Sequence, residues 1–79
     1  MTNTEKYMNI FMETFEISKE EAKNLEYQGI SAWDSVGHMN LVSTIEDRFD
    51  IMMDTEDIID FSSFEKGMEI LAEKYGVEF

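Results

Sequence analysis

The feature that most constrains this chain is that nothing can staple it: its 79 residues include no cysteine and one histidine, His38. That removes both the disulfide route and any Cys/His zinc site. A domain of this size buries only about 60% of the surface that its unfolded chain exposes, and small domains often add such staples for that reason. Here the fold has to rest on packing alone. The apolar fraction of 43%, with seven Met and six Phe, suffices for one core. A single domain spanning residues 1–79 is therefore expected.

The formal charge of −12 narrows function next. Such a field repels nucleic-acid phosphates and anionic membranes, and it attracts basic protein surfaces. High charge can also mean disorder, but ten aromatic residues and regular apolar spacing argue for a folded chain. No apolar run approaches the roughly 20 residues that span a bilayer. The first residues, Met1-Thr2-Asn3-Thr4-Glu5, lack the basic-then-apolar pattern of a secretory signal. The expectation is a cytoplasmic monomer that binds neither nucleic acid nor membrane.

With no proline to force breaks, periodicity carries the assignment of elements. Met8, Phe11, Met12 and Phe15 recur three and four apart, which predicts a helix over 4–15 with Thr4 as its N-cap. Ser18-Lys19-Glu20-Glu21 reads as a capping box for one short turn. From Asn24 to Trp33 the period fails, and a long loop is expected, pinned by Leu25, Tyr27, Ile30 and Trp33. The clearest helix opens at Asp34, carries Leu41, Val42, Ile45 and Phe49 on one face, and closes at Asp50. A short acidic segment from Asp54 follows, with Ile58, Ile59 and Phe61 on its apolar side. Ser62 with Glu65 predicts a second capping box, and Phe64, Met68, Leu71 and Tyr75 form the last stripe before Gly76. The fold class is all-α: three longer helices, one short one and a long first loop.

Most candidate chemistry fails on inspection. A catalytic carboxylate pair needs one buried, shifted member, and the acidic residues fall almost entirely on outward faces or caps. The run Asp54 to Asp60 lacks the glycine and spacing of a calcium loop and reads as a charged helix start. His38 stands alone and reads as a solvated helix residue. The methionines Met8, Met12 and Met68 read as core fillers. What remains is Asp34-Ser35-Val36, which places a serine near the chain's midpoint at the mouth of the strongest helix. A helix N-terminus offers free backbone N–H groups and partial positive charge, a natural seat for a phosphate.

Trp33-Asp34-Ser35-Val36, followed by Leu41, Ile45 and Glu46-Asp47-Arg48-Phe49-Asp50-Ile51, resembles the modification site and second helix of the acyl carrier protein superfamily, which includes peptidyl and D-alanyl carriers. The likeness extends over nearly the whole chain in length, helix order and acidity. It implies a four-helix bundle that is not an enzyme, with 4′-phosphopantetheine attached covalently to Ser35 by a phosphopantetheinyl transferase. By the same resemblance the cargo would ride as a thioester on that arm, and the composition agrees, because a chain with no Cys cannot supply such a thiol itself. Asp34 would assist at the modification site. Val36, Met39 and Ser43 would face partners, with Glu46 and Asp47 as charged contacts. Partners would be an acyl- or aminoacyl-loading ligase and a downstream acyltransferase or synthase, in fatty-acid or secondary-metabolite biosynthesis. Gly37 and Asn40 stand where fatty-acid carriers commonly have acidic residues, and His38 and Ser43 soften that face further. This points to a dedicated set of partners. An acyl carrier leads, an aminoacyl carrier of peptidyl or D-alanyl type stands beside it, and an acidic helical adaptor that carries nothing is the reading from another class.

Overall fold

Local capping chemistry sets the starts of four of the five helices in the computed structural model, which describes residues Met1–Phe79. Helix α1 (Asn3–Phe15) begins at Thr2, not at Thr4: the Thr2 hydroxyl accepts from the Glu5 N–H and the Glu5 carboxylate accepts from the Thr2 N–H. Glu5 lies three residues after Thr2, and that spacing is what a capping box requires. Helix α2 (Lys19–Lys23) starts at Ser18 with the expected box to Glu21. Helix α3 (Ser35–Phe49) starts at Asp34, whose carboxylate accepts from the Gly37 N–H at 2.9 Å. Helix α4 (Thr55–Asp60) follows Asp54, and α5 (Phe64–Lys74) follows Ser63. The α5 cap is thus Ser63, accepting from Lys66, and not Ser62 with Glu65. Ser62 is otherwise engaged: its carbonyl accepts from Tyr27, and Phe64 N–H reaches the Leu25 carbonyl, so this strip holds the long loop.

The all-α expectation holds, but two helices are short, α2 and α4, where one was expected. Left-handed backbone closes α1 at Glu16 and α3 at Asp50, and Gly76 at φ +67° follows α5. The radius of gyration is 11.3 Å, close to the roughly 11.6 Å of a folded chain of this length. Apolar packing therefore overcomes the self-repulsion of the net charge.

Aromatic rings dominate that packing. Phe11 is fully buried, and its ring meets Tyr7, Phe15, Trp33 and Phe64 at centroid distances of 5.1, 6.0, 5.5 and 4.9 Å. Offset and edge-on geometries of this kind add to area burial. Leu41, Val42 and Ile45 of α3 and Ile70 and Leu71 of α5 close the same core. Tyr7 and Ile10 lie inside it although the periodic stripe on α1 had not included them. Tyr7 can be buried because its hydroxyl donates to the Phe64 carbonyl at 2.7 Å. Of the expected stripe residues, Met12, Phe49, Met68 and Tyr75 are only half-buried against the core.

The loop between α2 and α3 is fastened by buried Leu25 and Trp33, with Ile30 half-buried. Tyr27 is a weaker pin: it is partly exposed, with its ring edge-on to Trp33 and His38. Close approach of this loop to α3 explains Gly37, since a Cβ there would overlap the Ala32 carbonyl. No helix is long and apolar enough to cross a membrane.

Candidate functional site

Ser35 is the first residue of α3 and is exposed. It reaches the surface because Asp34 fixes the helix start while buried Trp33, immediately before the cap, anchors the chain from below. The Asp34 carboxylate takes the Gly37 amide and the Asp34 carbonyl takes that of His38, so the amides of Ser35 and Val36 are the ones left for an anion.

Beside Ser35 runs a groove of about 370 Å³ lined by Tyr27, His38, Met39, Ile58, Ile59 and Phe61, with Ser35 and Ser62 at its edge. Its walls come from α3, α4 and the long loop, and no Asp, Glu, Lys or Arg lines it. Near it the apolar residues Val36, Met39 and Ile59 are 70%, 50% and 74% exposed. Ile59 was expected on the inner side of its helix. A six-residue helix packed by Phe61 and Ile58 has little more than one turn to hide, and Ile59 falls outside it.

Of the other expected partner-facing residues, Ser43 and Asp47 are exposed on α3. Glu46 is half-buried, and its carboxylate accepts from the Met53 N–H at 2.9 Å, which ties down the segment after α3. With Asp50, Ile51 and Met52 these three line a shallow depression at the far end of α3 from Ser35. The expected partner residues therefore divide into an apolar group beside Ser35 and an acidic group further along the same helix.

Two residues differ from expectation. His38 is not solvated: it is half-buried, with its ring stacked on Trp33 and both nitrogens engaged. Trp33 Nε1–H donates to Nδ1 at 2.9 Å, and because an indole can only donate, the imidazole proton sits on Nε2. Nε2 then donates to the Ile58 carbonyl at 2.8 Å. Sequence periodicity had no means of finding this, because the partner is 20 residues away.

Asp57 is the second. It is 3% exposed, the one buried charged residue, where an outward helix start was expected. Lys74 Nζ donates to it at 2.7 Å and Tyr75 Oη at 2.6 Å, and these bonds hold its carboxyl below the usual carboxylate range. Tyr75 Oη in turn accepts from the Asp54 N–H, replacing the side-chain cap that α4 lacks. The acid in this cluster has every partner within the protein and no groove beside it, so its role is to fasten α4 to α5.

No group of three or more His, Asp or Glu side chains is arranged to hold a metal ion. No protein-family model matches the chain, and neither a curated protein nor a solved structure matches it.

Proposed function

We propose that this protein is a phosphopantetheine-dependent carrier, with Ser35 as the attachment point of the arm. The observation that carries the reading is the placement of one exposed serine hydroxyl at the first position of α3, on the rim of an apolar groove. A phosphodiester at Ser35 would lie against the free amides of Ser35 and Val36 and the positive end of the helix dipole. That local field matters on a chain of charge −12. The groove lining fits an uncharged arm and cargo, because it is apolar and carries no ionised side chain that would have to be desolvated. When bound, the group supplies a thiol that holds cargo as a thioester. The chain's own residues present it, orient it and shelter its base.

In this reading α1, α3, α4 and α5 form the four-helix bundle of the acyl carrier type, and α2 is an extra turn in the long connection. Val36 and Met39 supply apolar contact beside the serine, while Asp47 and Glu46 steer basic enzymes towards α3. The exposed apolar rim would equally serve an adaptor that carries nothing, and Ser35 separates the two. Incubation with coenzyme A and a broad-specificity phosphopantetheinyl transferase should add one phosphopantetheine mass. Ser35→Ala should abolish the addition while leaving the helical circular dichroism unchanged. A folded wild type that several transferases leave unmodified would favour the adaptor.

A further inference from the structure

The His38 geometry goes beyond this reading. Its imidazole makes one bond as acceptor, from the indole of Trp33, and one as donor, to Ile58 in the last turn of α4. The second satisfies a carbonyl that a helix C-terminus leaves without an internal partner. The first satisfies the indole N–H of a fully buried tryptophan. Only neutral imidazole can do both. On protonation, Nδ1 becomes a donor facing the indole donor, while the bond from Nε2 to the carbonyl persists as a charge-assisted one. A buried donor left without an acceptor costs the full penalty of its lost hydration. Trp33 must then move or admit water.

We infer that His38 is a proton-controlled latch beside Ser35: neutral, it joins the Trp33 indole to α4 across the groove; protonated, it keeps α4 and releases Trp33. The surroundings make the proton on His38 the controlling one. The residues that share its groove include no charged side chain, and the titratable one is Tyr27, whose ring packs edge-on to the imidazole. On α3 itself, the nearby carboxylate of Asp34 is occupied by Gly37. On α4, Asp57 is held by Lys74 and Tyr75, and Glu56 and Asp60 are exposed. Trp33 immediately precedes Asp34-Ser35, so its release loosens the floor under the serine and opens the groove between the long loop and α4. The latch itself is independent of the carrier reading; its effect on modification rests on that reading.

Trp33 is the only tryptophan, so its indole signal is a direct reporter. The test follows the indole N–H exchange and the emission maximum of the full chain from about pH 7.5 to 5.5, the span in which histidine changes charge. The imidazole ring protons are read in the same samples. Intensity alone is not diagnostic, because imidazolium quenches a neighbouring indole without any movement. The latch requires that indole protection fall by at least about tenfold beyond the intrinsic pH effect, together with a red shift, in step with the imidazole titration. His38→Gln keeps an acceptor and a donor at every pH, so its profile should be flat. An imidazole that titrates while Trp33 protection stays constant overturns the latch, and so does a folded His38→Gln variant with the wild-type profile. If that variant does not fold, the wild-type measurement decides alone. For Ser35, the ratio of wild-type to His38→Gln modification rates by one transferase should change between about pH 7.5 and 6. A constant ratio overturns the coupling to Ser35. Absence of modification at any pH removes the carrier reading and leaves the latch standing.

Discussion

Helix α4 is held on its two sides by opposite chemistry. Towards α5 it is fastened by a buried charge: Asp57 takes Lys74 and Tyr75, and Tyr75 reaches back to Asp54. Towards α3 it meets a neutral imidazole and an apolar groove, with Ile59 left in solvent. Asp57 is buried while Lys74 reaches solvent, so separating α4 from α5 would leave the Asp57 carboxylate without its partners, and the α5 side resists opening. The α3 side has one hydrogen bond to α4, from His38 Nε2, which survives protonation. Beside the open groove, the bond that depends on protonation is the one His38 takes from Trp33. The difference teaches where this small domain can move. A six-residue helix cannot stand alone; held by Asp57 on one side and by His38 on the other, α4 stays in place, and the loop edge of the groove that carries Trp33 is the one free to move. The serine lies at the movable edge.

The largest effect that breaks this comparison should come from Trp33→Ala. It removes the ring packed against the groove residues Tyr27, His38 and Phe61 together with the His38 bond, and truncating a buried aromatic costs about 3–5 kcal/mol. Urea unfolding should show a chain close to its stability limit at neutral pH. Retention of most of the wild-type stability would mean that the long loop is held by Leu25 and Ile30 alone.

Gly37→Ala comes next. The added methyl overlaps the Ala32 carbonyl, and that backbone is pinned at both ends of the loop. Overpacking of this kind costs about 1–3 kcal/mol, against the gain of up to about 1 kcal/mol that alanine brings to an unhindered helix interior. A net rise in melting temperature would show that the loop yields freely on the groove side.

The α5 side is tested by acid. The carboxyls of Glu5, Glu13 and Asp57 are held low, by hydrogen bonds from Thr2, from Arg48, and from Lys74 with Tyr75, respectively. A depressed carboxylate contributes stability that is present above its unfolded value, near pH 4, and lost as pH falls through its folded value. The melting temperature should therefore drop on acidification below about pH 4. Asp57→Asn should lower it at neutral pH and flatten the acid limb. An unchanged acid limb would move the anchor to the apolar contacts of α4.

Ile59→Ala should have the smallest effect. The side chain is mostly in solvent, and surface substitutions usually stay within about 0.5 kcal/mol. Chemical denaturation should place the variant beside wild type. If Ile59 belongs to the partner-facing rim, loading should slow while stability holds; a clear loss of stability would instead place Ile59 in the core.

Much of the fold was legible in the sequence. The Asp34 cap, the Ser18 box, the closure at Asp50 and the buried trio Leu41, Val42 and Ile45 were all read from spacing. Two caps slipped, by two residues at Thr2 and by one at Ser63. Near chain ends and turns several Ser and Thr compete, and the winner is chosen by what else each must bond: Ser62 was already committed to Tyr27. At the site, the exposure of Val36 and Met39 follows from their place outside the stripe of Leu41, Val42, Ile45 and Phe49. The engagement of Glu46 with Met53 did not, since a carboxylate on an outer face shows no sign in sequence of a backbone amide folding back onto it.

By itself, then, the sequence determined where the chain turns into helix and which broad face of each helix is apolar, because capping and periodicity act over three or four residues. Only the tertiary structure decided what Tyr7, His38 and Asp57 do. Their partners lie 57, 20, and 17 and 18 residues away. A polar group that distant from its partner reads as solvated until the chain is closed. Closure brings Phe64, Ile58, Lys74 and Tyr75 within hydrogen-bond reach, and burial of each group then costs less than leaving a partner unpaired.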